Sequence, residues 1–190
     1  WKKPPAPGMA DQAMYRGEVH RLLMLVIAEP EQLPTLDPAQ LDMCLRLARR
    51  ARLLGRLAGA LDAAASLDDL PGIAADQLRS SLVMADARTR MALWELDRIA
   101  RAVQPDESTP LIALKGCAYL LLDLPHARGR IFADVDLMTT GEQLESVEAR
   151  LNARGWETAS LTPYDDHYYR RWTHELPPLK HAEREMEIDL

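Results

Sequence analysis

The stretch GRIFADVDLMTT, residues 129–140, places two aspartates one residue apart in an otherwise apolar run. Its period-two alternation predicts a β-strand. On that strand Val135 and Leu137 share one face, while Asp134 and Asp136 share the other. The carbons that bear the two carboxylates would lie about 7 Å apart, close enough for both groups to bind one cation or a close pair of cations. A solvent-facing strand would also hold two aspartates, so this stretch alone leaves both interpretations open.

The final residues, EMEIDL at 185–190, repeat the pattern, with Glu187 and Asp189 alternating with apolar side chains. Two such strands side by side would gather three or four carboxylates on one face. Like charges at that spacing raise each other's pKa values, and a divalent cation reverses the sign of the local field. Carboxylate oxygens without histidine or cysteine suit a hard ion, so we expect Mg²⁺ or Mn²⁺.

A second motif, ALKGCAYLLL at residues 113–122, indicates a strand, a turn and a helix. The strand, LIAL at residues 111–114, is expected to be short and buried and to end at Leu114, and Lys115 and Gly116 form the turn. This arrangement places backbone N–H groups and a lysine where a phosphate can bind. Arg130, four residues before the first aspartate, offers a second cation for phosphate. Carboxylates, a glycine turn and two cations together indicate phosphoryl or nucleotidyl transfer.

The order LKG, a short helix, R-x-F-x-D-V-D-L-M and then E-I-D-L resembles the uncharacterised nucleotidyltransferase family of the DNA polymerase beta superfamily. The resemblance covers roughly residues 110–190. It implies that Asp134 and Asp136 are the paired metal ligands. It also implies that Asp189 is the third carboxylate, with Glu187 as the alternative for that role.

The same resemblance places Lys115 and Gly116 at the glycine turn and Arg130 at the arginine before the acidic pair. It implies a mixed sheet flanked by helices and two-metal transfer of a nucleoside monophosphate from a nucleoside triphosphate to a hydroxyl acceptor. The acceptor (protein, RNA or small molecule) is not identified by the sequence. The alternatives are a non-catalytic interaction protein on a degenerate transferase fold and a phosphohydrolase that uses the same carboxylates.

Simpler explanations exist for the two cations. Lys115 would also suit a surface position at a helix end, and Arg130 would suit a structural ion pair with Asp134 or Asp136. A run of arginines also crowds one predicted helix: Arg46, Arg49, Arg50, Arg52 and Arg56. Such a run is typical of the solvated face of an amphipathic helix, with a nucleic-acid phosphate surface as the alternative.

Three histidines fall seven residues apart and suggest zinc: His167, His174 and His181. Pro177 and Pro178 interrupt any helix that would align them, which favours incidental polar positions. The same two prolines favour an edge position for the strand predicted to follow them.

Nearer the N-terminus, Thr140 and Gln143 have the spacing of a capping box at the start of a helix.

The composition limits the classes of protein. Of 190 residues, 47% are hydrophobic and 27% charged, as in an ordinary globular protein, and the net charge of −6 excludes a generally basic nucleic-acid-binding surface, although not a local basic patch. Cys44 and Cys117 form no CxxC pair, so neither a disulfide framework nor a thiolate zinc site is expected. The same cysteine content favours a cytoplasmic location. The apolar run LLMLVIA, residues 22–28, is too short to span a bilayer, so no membrane partner is expected.

The patterns predict a mixed α+β protein. Residues 1–8 suggest a tag or linker remnant, 9–105 a helical N-terminal region, and 110–190 the nucleotidyltransferase-like α/β core. The core stops in mid-pattern, which suggests truncation at its C-terminus. Within the helical region, Asp37 followed by Pro38 predicts a helix start in the run from residue 35 to 65, which shows helical spacing throughout.

Overall fold

The computed structural model describes residues 9–103, 109–158, 162–184 and 186–190. The helices are α1 (Met9–Ala28), α2 (Pro38–Arg50), α3 (Leu54–Ala63), α4 (Gly72–Val103), α5 (Lys115–Leu121), α6 (Leu144–Asn152) and α7 (Pro163–Tyr168). The strands are β1 (Ile112–Ala113), β2 (Asp134–Met138), β3 (Trp156–Thr158), β4 (Leu179–His181) and β5 (Glu187–Asp189). The predicted mixed α+β fold class is confirmed. The prediction for residues 1–8 lies outside the described residues.

The chain divides into two compact units. The first contains the described residues up to Met84 together with Arg128–Arg130, and the second contains those of Ala85–Ala127 and Ile131–Leu190. The predicted domain boundaries at 9–105 and 110–190 stay a prediction. None of the described helices is long and apolar enough to cross a membrane.

In the first unit, the predicted start of α2 is confirmed. The Asp37 carboxylate accepts hydrogen bonds from the backbone N–H groups of Ala39 and Gln40, each at 2.9 Å, and Pro38 occupies the first turn. The helical pattern from residue 35 to 65 does not form one helix, because the chain breaks at Arg52, whose φ is +57°. Periodicity continues across the break because both helices bury their apolar stripes in the same leucine-rich core.

The second unit is built on a five-stranded mixed sheet in the order β1-β2-β5-β4-β3. β2 and β5 run parallel, with Val135 opposite Ile188, whereas the other neighbouring pairs are antiparallel. Leu179 of β4 lies opposite Ile188 in turn. These three side chains are fully buried and form the centre of the second hydrophobic core.

Three local predictions in this unit are wrong. β4 lies between β5 and β3 rather than at an edge, and Pro177 and Pro178 precede it instead of occupying it, so no ladder N–H is lost. The edge strands of the described sheet are β1 and β3, and Ile112 of β1, predicted to be buried, is 49% exposed. The capping box does not form, because α6 begins one residue after Gln143 without a side-chain cap.

Candidate active site

The register of β2 and β5 gathers the acidic residues. Asp134 lies opposite Glu187, and Asp136 lies opposite Asp189. Side chains of residues directly opposite one another project from the same face of a sheet, and neighbouring strands lie about 4.8 Å apart. The structure therefore brings all four predicted carboxylate residues to one face of two adjacent strands. Asp136 is the most enclosed of them, with 7% of its surface exposed.

The predicted glycine turn lies beside this acidic face. The backbone N–H of Leu114 donates a hydrogen bond to the carbonyl oxygen of Asp136 at 2.9 Å, and the thiol of Cys117 lies 3.9 Å from the carbonyl oxygen of Asp134. Between these two anchors, Lys115 begins α5 with a φ of +44°, in the left-handed region that side chains other than glycine rarely adopt. Its ammonium group forms an ion pair with the Asp136 carboxylate.

The acids and Lys115 form a single electrostatic cluster. Burial raises the pKa of Asp189, and the charges of Asp134 and Asp136 raise it further, while Lys115 opposes them. The hydrogen bond and charge of Asp136 are the main reasons why the pKa of Lys115 is raised. Lys115 therefore offsets only part of the rise in the pKa of Asp189, and a second cation, Lys180, lies 3.9 Å from the Glu187 carboxylate.

Glu175 is an acidic residue near the site that the sequence patterns did not identify. Its charge adds to the rise in the pKa of Asp189. It follows His174, whose φ of +56° turns the chain, and the next residue, Leu176, donates its backbone N–H to the carbonyl oxygen of Leu190 at 2.7 Å. Glu175 belongs to no strand with a repeating pattern, so periodicity could not have found it.

The acidic face offers only some of what a metal ion requires. Within the described ranges, no three His, Cys, Asp or Glu side chains are arranged to hold a metal ion. The donors that β2 and β5 bring together are all carboxylate oxygens, which suit a hard divalent cation by type. One of them, Asp136, is engaged by Lys115. The donor type therefore suits Mg²⁺ or Mn²⁺. In this arrangement an ammonium group contacts the most enclosed carboxylate, and the described side chains form no three-ligand group.

The remaining residues that the sequence singled out are Arg130, Gly116 and one of the three histidines, His181. Arg130 is exposed and belongs to the first unit, whereas the carboxylates and Lys115 belong to the second, so its role at a nucleotide stays a prediction. Gly116 is buried in the first turn of α5. His181 packs its ring against Trp156 and lies 3.2 Å from the carbonyl oxygen of Arg154, which is a structural contact.

Among known proteins, the chain matches one family and no individual protein. No curated protein and no solved structure matches the chain. A family model described as an uncharacterised nucleotidyltransferase matches residues 37–190. The match begins at the N-cap of α2, so it extends well beyond the residues 110–190 on which the sequence resemblance rests. Because it covers most of the chain and both units, the protein belongs to this uncharacterised nucleotidyltransferase family.

Proposed function

We propose that this protein is a metal-dependent nucleotidyltransferase that moves a nucleoside monophosphate from a nucleoside triphosphate to a hydroxyl acceptor. The observation that carries the proposal is the register of β2 and β5, which sets Asp134 and Asp136 beside Glu187 and Asp189 on one face of the sheet. Membership of the family supplies the reaction type.

In this proposal Asp134, Asp136 and Asp189 hold the divalent cations, with Glu187 as the alternative third ligand. Bound Mg²⁺ or Mn²⁺ would neutralise the phosphates and lower the pKa of the acceptor hydroxyl. The backbone of β2 and β5 fixes the spacing of the carboxylates, because Val135 and Ile188 are buried on the opposite face. The protein thereby positions its ligands without rearranging the sheet.

Lys115 has two roles in this mechanism. In the absence of substrate it pairs with Asp136 and partly neutralises the acidic face. Its side chain is 69% exposed, so it can leave that carboxylate without disturbing the core. When the triphosphate binds, the ammonium group turns to a phosphate oxygen, and the carboxylate becomes available as a ligand. One side chain thus exchanges its partner as the site fills.

The experiment supplies each nucleoside triphosphate in two labelled forms, at the α-phosphate and at the γ-phosphate, with Mn²⁺ and cell extract. A transferase puts the α-label on an acceptor and releases pyrophosphate. Asp136→Asn should abolish the transfer, whereas Glu157→Gln, which removes an exposed carboxylate from β3, should not. Release of label without any labelled acceptor would instead indicate a phosphohydrolase.

A non-catalytic interaction protein on the same fold is the second candidate. The observation that favours it is that, in the part of the chain that is described, no three potential ligands are arranged around one point. Nucleotide binding distinguishes the two candidates. Calorimetry that detects no metal-dependent binding of any nucleoside triphosphate would exclude the transferase and leave the interaction protein.

A further inference from the structure

The second unit contains a cavity of about 420 Å³ that the proposed reaction does not use. Its lining is rich in arginine and tryptophan: Trp94, Arg98, Arg101, Arg154, Trp156 and Arg184. The volume lies within the range of small-molecule sites. The composition is unexpected in a chain with a net charge of −6, because arginines that face one cavity repel one another unless an anion is present.

The floor of the cavity is held in place by a buried network. The indole N–H of Trp156 donates a hydrogen bond to Glu95 at 2.8 Å, and Glu95 is 1% exposed. The Arg184 Nε atom lies 3.6 Å from the same carboxylate. The Arg184 guanidinium carbon lies 4.4 Å from the ring centroid of Trp156 and 5.2 Å from that of Trp94. The site is therefore preorganised before any ligand arrives.

Several guanidinium groups around this floor have unused hydrogen-bonding capacity. The side chain of Arg154 has no hydrogen bond or ion pair with any described residue. Arg98 contacts the Trp94 ring at 4.9 Å and likewise pairs with no carboxylate in the described ranges. The buried Arg184 Nε has no hydrogen-bond partner among the described residues. These are planar, permanently charged donors whose geometry matches oxyanions.

Acidic groups compensate only part of the positive charge that the arginines bring to the cavity. Arg184 is balanced by Glu95, and Arg101 by Asp97 at 3.0 Å. Among the lining residues that the structure describes, Glu183 is the only acid, and it is exposed. Arg98 and Arg154 therefore leave the cavity with an excess of positive charge.

The cavity lies on the opposite face of the sheet from the candidate active site. Trp156 is two residues from Thr158, which lies opposite Leu179, and Leu179 lies opposite Ile188. Because residues two apart on a strand share a face, Trp156 projects from the core face. Asp136 and Asp189 project from the other face. A molecule in this cavity is therefore not positioned to react at the carboxylates.

We propose that this cavity is a second binding site, for a small molecule that carries two or more oxyanion groups. Phosphate and carboxylate groups share the chemistry that guanidinium recognises. The cavity volume of about 420 Å³ and the net charge of −6 favour a small ligand over a nucleic-acid strand, which would need a basic track beyond the cavity. The proposal does not depend on transferase activity.

The test measures binding of pyrophosphate and of citrate by calorimetry and by tryptophan fluorescence, in metal-depleted buffer of low ionic strength. Without metal, the acidic face repels both probes. We expect wild type to bind at least one probe, and Arg98→Gln and Arg154→Gln each to bind about tenfold or more weakly. Both arginines are exposed, so both variants are expected to fold. The preferred probe shows whether phosphate or carboxylate is the natural group.

Arg90→Gln is the matched control, because it removes the same charge from an exposed position of α4 that does not line the cavity. It should bind the probe like wild type, and so should Asp136→Asn. Equal weakening in Arg90→Gln would show a nonspecific charge effect and overturn the proposal. Failure of the wild type to bind either probe at millimolar concentration would also overturn it, while leaving the proposed transferase activity untouched.

Discussion

The two faces of β2 and β5 share one backbone but contribute to stability with opposite signs. On one face Val135 and Ile188 are fully buried and stabilise the second unit. On the other face the register that aligns those side chains also sets Asp136 beside Asp189, where burial and neighbouring charges raise the pKa of Asp189. The apolar face stabilises an arrangement that the acidic face opposes. A sheet can therefore hold a charge cluster in place as long as its other face is well packed.

The largest effect should follow from a change to the apolar face. Ile188→Ala removes a fully buried side chain from the central strand and should lower the free energy of unfolding by about 2–5 kcal/mol. Urea denaturation followed by circular dichroism measures the change. Ile112→Ala, at a half-exposed position of the edge strand β1, is the control and should lower the free energy of unfolding much less. Similar losses in both variants would show that Ile188 does not support the sheet as described.

The second-largest change in stability should come from metal binding at the acidic face. If its carboxylates hold Mn²⁺, the ion should raise the melting temperature of the wild type. At 100 times the dissociation constant the stabilisation is about 2.7 kcal/mol, or about 5–10 °C for a chain of this size. Asp136→Asn should lose most of this rise, while Glu157→Gln keeps it. Melting curves with and without Mn²⁺ measure the response, and a wild type indifferent to the ion would contradict the proposed ligand set.

A smaller effect is expected from Asp189 without metal. Its folded-state pKa is raised, so the folded protein holds this proton more tightly than the unfolded chain does. The stabilisation is complete at low pH and is lost as the pH rises through the raised pKa. Asp189→Asn cannot lose a proton, so at neutral pH the metal-free variant should melt higher than the wild type.

The pH series gives the direct measurement of that prediction. Between the ordinary carboxyl range and neutrality, the melting temperature of the wild type should fall more steeply than that of Asp189→Asn. Parallel curves for the two proteins would mean that Asp189 titrates in the same way in the folded and unfolded states, and the two faces would then differ less than described.

The smallest effect on folding should come from Lys115. Replacing this largely exposed side chain by Gln should lower the free energy of unfolding by no more than about 1 kcal/mol, even though it pairs with Asp136. Nucleotide affinity in the presence of Mn²⁺ should fall clearly, because a phosphate partner is lost. Arg90→Gln, which removes an exposed cation from α4, is the control for general charge. Unchanged nucleotide affinity in Lys115→Gln would make its pairing with Asp136 purely structural.

These comparisons also show what the sequence could and could not predict. Asp134, Asp136 and Asp189 were found because alternation along a strand is a local pattern, and the Asp37 cap was found for the same reason. An ion pair of Arg130 with Asp134 or Asp136 stays a prediction. The pair between Lys115 and Asp136 was not predicted, and it forms because the turn after β1 brings the lysine back over β2.

Features that depend on tertiary structure left no local signal. The order of the strands in the sheet is such a feature, and for that reason the prediction that β4 is an edge strand was wrong. The cavity is another, because its walls come from α4 and from β3 and β4, which are far apart in the sequence. Glu175 is a third, since it acts on Asp189 from irregular backbone. The metal, nucleotide and acceptor assignments remain predictions.

The position of β5 has a consequence for the order of assembly. It joins the antiparallel pair β1–β2 to the antiparallel pair β4–β3, although it follows all four of those strands in the sequence. During synthesis those two pairs emerge before the strand that unites them, and pairing between distant segments is slow to form. The emergence of β5 therefore unites the five described strands and brings Asp189 to Asp136 in the same event. The carboxylates of β5 and β2 stay apart until the core strands beneath them pair.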